Sequence, residues 1–204
     1  MKRPRRWQNP FAMTISEEKS QLRRILLKQR TQEDFASGQE IGRRIAVSLL
    51  DSDLFRSAKT VFTYCSTKEE IDTYLLMRAC TEAGKTLCVP RCETEPGVMT
   101  ARLIHTPDAL FPGKYGIMEP SADAKTVDPG AIDLCVVPCL AADSGGYRLG
   151  YGGGYYDRFL IRCRGNTVAL CADARILPRV PHDVFDIPCD YIFTERRILV
   201  REKK

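Results

Sequence analysis

Histidine and tryptophan are scarce in this chain, and long apolar runs are missing. Only His105, His182 and one tryptophan stand among 204 residues. Nine cysteines are present, but none form a C-x-x-C pair, and the two C-x3-C pairs have no histidine nearby. A zinc site therefore lacks a plausible ligand set. The odd number, and the placing of most cysteines inside apolar runs such as Leu134-Cys135-Val136, argue against a disulfide framework and predict buried, reduced thiols in a cytoplasmic protein. No stretch approaches the ~18 apolar residues that span a bilayer, so no membrane partner is expected. No internal repeat and no low-complexity segment occurs.

Charge is also unevenly supplied. The net charge is +5, and Lys2, Arg3, Arg5 and Arg6 carry four of those charges, leaving +1 for everything after them. A basic tail on a near-neutral body does not make a nucleic-acid-binding face. Trp7-Gln8-Asn9-Pro10 follows those charges where a signal peptide would place an apolar segment. Residues 1–13 are therefore expected to be a basic, poorly ordered extension, with Met13 an alternative start, and residues 14–204 a single domain.

What is present is ordinary globular material, 44% hydrophobic and 28% charged. Thr14-x-x-Glu17 predicts a capping box at the head of a first helix, with Leu22, Ile25 and Leu26 along one side. Thr31-x-x-Asp34 predicts a second helix carrying Ile41, Ile45 and Leu49 at helical spacing. Strands are expected at 60–64, 87–90, 98–104, 131–138, 167–172, 191–194 and 198–200. Helices are expected at 71–83, ended by Gly84, and at 155–164. Residues 105–130 read mostly as loop. Strands alternating with helices point to an α/β fold, an open and mostly parallel sheet with helices on both faces. Such folds bind ligands beyond the carboxyl ends of their strands, and the segment 139–154 follows the most apolar strand.

That segment contains Gly150-Tyr151-Gly152-Gly153-Gly154. Residues without Cβ let a backbone turn sharply and bring its N–H groups to an anion, and the helix expected next offers its positive end. Arg148 adds a cation suited to phosphate, and Asp157 a carboxylate suited to magnesium. The glycines alone fit a tight turn equally well. Their spacing is neither the dinucleotide G-x-G-x-x-G nor a Walker A loop, since Gly84-Lys85-Thr86 has Ala79 where the first glycine belongs.

The longer string decides the matter. Pro138-Cys139-Leu140-Ala141-Ala142-Asp143 followed by Arg148-Leu149-Gly150-Tyr151-Gly152-Gly153-Gly154-Tyr155-Tyr156-Asp157 closely resembles the signature of the 5-formyltetrahydrofolate cyclo-ligases. The resemblance runs from about residue 17 to 195. It includes K-x-x-L-R at Lys19–Arg23, E-I-x-T at Glu70–Thr73, P-R at Pro90-Arg91, G-I-x-E-P at Gly116–Pro120, and the closing segment Pro181–Glu195. Cys139 and Ala142 replace a glycine and a phenylalanine of the pattern. Cys65 and Cys92 stand where other members carry larger residues, and Tyr151 where some carry arginine.

The resemblance implies a Rossmann-like fold resembling the NagB/RpiA/CoA-transferase-like architecture. It also implies ATP- and Mg²⁺-dependent conversion of 5-formyltetrahydrofolate to 5,10-methenyltetrahydrofolate, with release of ADP and phosphate through a phosphorylated formyl intermediate. Carried over, Lys19, Arg23, Arg148 and the run Leu149–Tyr156 bind ATP, and Arg148 and Tyr155 serve catalysis. Cys65, Glu70, Tyr115 and Tyr155 bind the folate, and Asp157 and Asp190 hold Mg²⁺. A monomer or weak homodimer with no nucleic-acid partner is expected. A folate- or nucleotide-binding paralogue without turnover is the alternative.

Overall fold

The computed structural model describes residues 13–30, 35–113 and 116–202. The basic tail, the helix start expected at Thr31–Asp34, and Tyr115 lie outside the described residues.

Five helices and thirteen strands are described. The helices are α1 (Ile15–Arg30), α2 (Phe35–Leu50), α3 (Asp53–Ser57), α4 (Tyr74–Glu82) and α5 (Tyr155–Leu160). The strands are β1 (Thr60–Phe62), β2 (Thr86–Cys92), β3 (Met99–Ile104), β4 (Phe111–Pro112), β5 (Met118–Glu119), β6 (Thr126–Val127), β7 (Leu134–Pro138), β8 (Ala141–Asp143), β9 (Arg148–Leu149), β10 (Asn166–Leu170), β11 (Ile176–Leu177), β12 (Tyr191–Phe193) and β13 (Ile198–Val200).

Eight strands form one sheet in the order β13-β12-β10-β7-β1-β2-β3-β6. The five from β12 to β2 are parallel, β13 and β3 flank them antiparallel, and β6 pairs antiparallel with β3 at the edge. The expected α/β architecture is therefore present. From β1 the chain passes first to β2 on one side and later to β7 on the other. This reversal opens a crevice beyond the carboxyl ends of β1 and β7, the place where such sheets take ligands.

Side-chain alternation sorts the core into two faces. Val61 of β1 with Leu134 and Val136 of β7 point to one face, under Ile45 and Leu49 of α2, Phe55 of α3, and Leu76 and Met77 of α4. Phe62, Cys135 and Val137 point to the other, under Phe159 and Leu160 of α5. All five residues of β7 are buried, as a continuous apolar run between covered faces requires.

A third, smaller cluster joins Leu26 of α1 to Leu140, Ala141 and Leu149 of the β8–β9 hairpin and to Val180. Buried Asp143 ties this layer together: Oδ1 accepts from the Gly145 and Tyr147 N–H groups, and Oδ2 from that of Val180 at 2.7 Å. At the hairpin tip Gly146 has φ +84°, and a Cβ there would stand 2.2 Å from the Cys189 carbonyl oxygen. Only glycine lets the hairpin meet that segment so closely.

Several expectations shift. The capping box forms, with the Thr14 N–H donating to Glu17 at 2.7 Å and the Glu17 N–H to Thr14 Oγ1 at 3.3 Å. Ile25, expected on the packed side of α1, is 48% exposed. The helix expected from Ile71 starts at Tyr74, because Ile71 and Thr73 bond back to β1's exit. α5 ends at Leu160, and β7 begins only at Leu134, after a 3-10 turn at Pro129–Ala131. Residues 105–130 hold another 3-10 turn at Pro107–Ala109 and the strands β4, β5 and β6.

Candidate active site

Two segments meet at the crevice. The first leaves β1 through Tyr64, Cys65 and the turn to Glu70. Its path is fixed by the Thr73 hydroxyl donating to the Tyr64 carbonyl (2.6 Å) and the Tyr64 hydroxyl donating to the Ile71 carbonyl (2.7 Å). This explains the E-I-x-T string: Ile71 packs on the core, Thr73 staples the turn, and Glu70 is left at its edge. Glu70 Oε2 accepts the Thr67 N–H at 2.9 Å. Cys65 is buried, and burial pushes its thiol up to about 12, with Glu119 and Glu70 adding to the effect. A thiol raised in this way stays protonated near neutral pH. Thr63 Oγ1, at the end of β1, is buried with no hydrogen-bond partner among the described residues.

The second segment leaves β7, turns through the hairpin and becomes the glycine loop. Gly152 (φ +101°) and Gly154 (φ +66°) adopt conformations that side chains resist. Gly154 is the N-cap of α5, so the helix opens directly from the loop. α1 runs alongside. Arg23 Nε donates to the Gly150 carbonyl at 2.8 Å, and a Cβ on Gly152 would stand 3.3 Å from the Arg23 guanidinium carbon. Burial lowers the Arg23 pKa, opposed by Asp186. Lys19, one turn earlier, is paired with Asp183 (3.2 Å) and Asp186. Tyr151 reaches outward, its hydroxyl accepting from Arg30 Nη1 at 2.7 Å.

Arg148 sits beneath the loop. Its side chain is 4% exposed, with Nη1 on the Ile187 carbonyl (2.6 Å) and Nη2 on Asp157 Oδ1 (3.0 Å). The same oxygen accepts the Ile187 N–H at 3.1 Å. Burial opposes the Arg148 charge, but its neighbours, Cys189 and Asp157 foremost, outweigh this and raise its pKa. Arg148 thus locks Asp157, the loop and the 187 segment together.

Asp190 lies elsewhere. It enters β12 beside Thr167, near the amino ends of the parallel strands. Its Oδ2 accepts from the Thr167 N–H (3.1 Å) and hydroxyl (2.9 Å), and its Oδ1 from Arg201 (3.0 Å). Asp157, with 29% of its side chain exposed, is the better placed of the two for a cation. Among the described residues no group of three or more His, Cys, Asp or Glu side chains gathers as a metal centre.

The remaining matched strings meet each other. Arg91 Nη1 donates to the Pro120 carbonyl at 2.6 Å and stands 3.6 Å from Glu119, so P-R and G-I-x-E-P form one unit. They line a cleft of about 500 Å³ with Cys92, Phe111 and Gly113. Glu119 of this cleft and Glu70 both act on the Cys65 thiol, each carboxylate helping burial to raise its pKa. The pairing of Arg91 with Glu119 and the tie of Asp183 and Asp186 to Lys19 escaped the sequence reading. Each joins residues far apart in the chain and leaves no local signature.

The sequence model of the 5-formyltetrahydrofolate cyclo-ligase family matches residues 15–195. The chain belongs to the 5-formyltetrahydrofolate cyclo-ligase family. It is thereby a member of a ligase family of folate metabolism. It is 28% identical over 165 residues to the 5-formyltetrahydrofolate cyclo-ligase of Escherichia coli K12, covering 78% of this chain and 91% of that protein. The Mycolicibacterium smegmatis 5-formyltetrahydrofolate cyclo-ligase is 29% identical over 190 residues, covering 89% and 96%. The solved structure of Aquifex aeolicus 5,10-methenyltetrahydrofolate synthetase superposes with a TM-score of 0.79 at 31% identity, covering 94% of this chain and 95% of that one. No helix among the described residues is long and apolar enough to cross a membrane.

Proposed function

We propose that this cyclo-ligase converts 5-formyltetrahydrofolate to 5,10-methenyltetrahydrofolate, with ATP going to ADP and phosphate. The carrying observation is the convergence at the switch-point crevice. The glycine loop, backed by Arg23 of α1, lies on one side, and Glu70, at the exit of β1, on the other.

The formyl group is an amide on N5, a poor electrophile with a poor leaving oxygen. Transfer of the γ-phosphoryl group to the formyl oxygen breaks the terminal phosphoanhydride and yields ADP and an iminium phosphate. N10 then attacks the formyl carbon, the five-membered ring closes, N10 gives up its proton, and phosphate leaves with the former formyl oxygen. The protein's contribution is placement and charge.

In this reading Lys19 and Arg23 bind the nucleotide phosphates. The loop from Leu149 and Gly150 through Tyr151, Gly152, Gly153 and Gly154 to Tyr155 and Tyr156 presents backbone donors where charge develops. Lys19 must exchange its bonds with Asp183 and Asp186 for phosphate. Arg148 acts from below, holding Asp157 and the loop. Glu70, Cys65, Tyr115 and Tyr155 bind the folate, Glu70 at the pterin. Mg²⁺ would neutralise phosphate charge, and Asp157 would hold it. Asp190, bonded to Thr167 and Arg201 near the amino ends of the strands, would have to leave those partners to take part. Cys139 and Ala142, the departures that would suggest a non-catalytic binder, are both buried among core side chains.

The test is the near-ultraviolet absorbance of the methenyl product in a mixture of protein, 5-formyltetrahydrofolate, ATP and Mg²⁺. Product matched by equal ADP is expected, with none formed without ATP. Folate binding without product would establish the binding paralogue instead.

A further inference from the structure

Two arginines from different helices hold the glycine loop by its carbonyls. Arg23 of α1 takes that of Gly150. Arg158 of α5 takes that of Gly153: its Nη1 donates there at 3.0 Å and to the Gly97 carbonyl at 3.4 Å. Gly97 lies in the turn between β2 and β3, and that turn is braced. The Glu93 N–H donates to the Val98 carbonyl (3.0 Å) and the Val98 N–H to that of Glu95 (3.2 Å). The Glu93 carboxylate accepts from Thr100 Oγ1 (2.6 Å) and Arg102 Nη2 (3.0 Å).

Arg158 is an exposed residue, yet its guanidinium is enclosed by backbone. A Cβ on Gly97 (φ +79°) would stand 2.2 Å from Arg158 Nη1 and 3.3 Å from the Gly153 carbonyl oxygen. A Cβ on Gly154 would stand 2.9 Å from the same Nη1. The Tyr155 ring closes the other side, 2.7 Å from where a Gly153 Cβ would be. The direction of one peptide follows. In a planar trans peptide the N–H points opposite to the C=O. With the Gly153 oxygen turned to Arg158 and Gly97, the Gly154 N–H is turned away from the β2–β3 turn. Without Arg158, a peptide between two glycines has little else to fix its plane.

We propose that Arg158 is a positioning residue for phosphoryl transfer. By pinning the Gly153–Gly154 peptide against Gly97, it keeps the Gly154 N–H aimed at the moving phosphoryl group, where a donor fixed in advance stabilises developing charge. Arg158 itself touches neither substrate. This rests on the assignment of the glycine loop to the ATP phosphates.

A neighbour separates this role from a structural one. Arg162, one turn further along the chain, also bonds to β3, its Nη2 donating to the Met99 carbonyl at 3.5 Å, and has no hydrogen bond to the loop among the described residues. The experiment follows methenyl product formed by the full chain with ATP and Mg²⁺, for the wild type, Arg158→Met, Arg158→Lys and Arg162→Met, with a melting temperature for each. Arg158→Met should lower kcat and kcat/KM together by about tenfold or more, leaving the Michaelis constant for 5-formyltetrahydrofolate unchanged. Arg158→Lys should regain most of the loss, since the single Nη1 that serves both carbonyls can be replaced by one ammonium. Arg162→Met should keep the wild-type kcat even where its melting temperature falls. Were Arg158→Met not to fold, Gly97→Ala tests the same contact from the other side: its Cβ displaces the guanidinium, and kcat must fall there too. A wild-type kcat in Arg158→Met, a loss confined to the Michaelis constants, a lysine variant no better than the methionine one, or an equal loss in Arg162→Met overturns the proposal alone. A wild type that forms no methenyl product overturns the functional reading and this proposal with it.

Discussion

The central sheet and the layer that carries the glycine loop are held together by different means. Around β7, two apolar clusters cover both faces of the sheet, and side chains such as Val61, Phe62, Val136 and Val137 are fully buried. The cluster that joins α1 to the β8–β9 hairpin has five buried apolar residues among the described residues. It is fastened instead by directional bonds: Lys19 to Asp183 and Asp186, Arg23 to Gly150, Arg30 to Tyr151, Arg148 to Asp157 and Ile187. Apolar packing is non-directional and tolerates no ligand in its place. A charged hydrogen bond can be exchanged for one to phosphate or carboxylate at small net cost. The sheet fixes where the crevice is, and the layer beside it is held mainly by charged and polar contacts.

This contrast can be broken most forcefully in the sheet. Phe62 stacks on Phe159 with centroids 4.6 Å apart. Phe62→Ala should cost about 3–5 kcal/mol, seen as a lower urea midpoint, while the protein that remains folded keeps its Michaelis constants. Arg148→Ala tests a cation whose side chain is only 4% exposed. It should lower stability by about 3 kcal/mol by stranding Asp157, and should abolish turnover; a variant as stable as the wild type would remove Arg148 from this role. Arg23→Ala lies on the exchangeable side. Its loss should raise the Michaelis constant for ATP about tenfold or more, the size expected for hydrogen bonds to a charged group, with little change in melting temperature.

The smallest effect concerns pH. Burial pushes the thiols of Cys65, Cys80 and Cys88 up to about 12 and Cys189 up to about 11, from an ordinary 9.0. Between those values the unfolded chain sheds thiol protons that the folded chain keeps. Stability is therefore full below pH 9 and is lost progressively from pH 9 toward 12. Melting temperatures from pH 7 to 11 in reductant should fall mainly above 9. A curve flat to pH 11 would mean that these thiols are not held neutral.

The legible parts of the fold were those written in local pattern. The apolar run of β7, the Thr14–Glu17 cap and the alternation of strands with helices each follow from residues close in sequence, and each is present. The five-residue helix α3 escaped because one turn carries too little periodicity to register. The β8–β9 hairpin escaped because its strands are too short to alternate. In the candidate site, the loop's position followed from the strand before it. The burial of Arg148 did not, because it depends on the Ile187 carbonyl and Asp157, brought together only by folding. Asp190 reads as one more carboxylate in a matched segment, yet its partners Thr167 and Arg201 come from other strands. Sequence names the residue types at a site, and tertiary pairing decides which of them face the ligand.

The glycine loop has a mechanical character set by its two ends. Leu149 is anchored in the hairpin, whose tip is wedged against Cys189 through Gly146, and Tyr155 is anchored in α5. Between these abutments hang five residues, a contour of about 17 Å. A span so short and fixed at both ends cannot swing aside as a lid does. It can only flex in its middle, at Gly152, where the backbone is most permissive. The path of its backbone is thus set by the fold itself, with Arg23 bonded to Gly150 and packed beside Gly152.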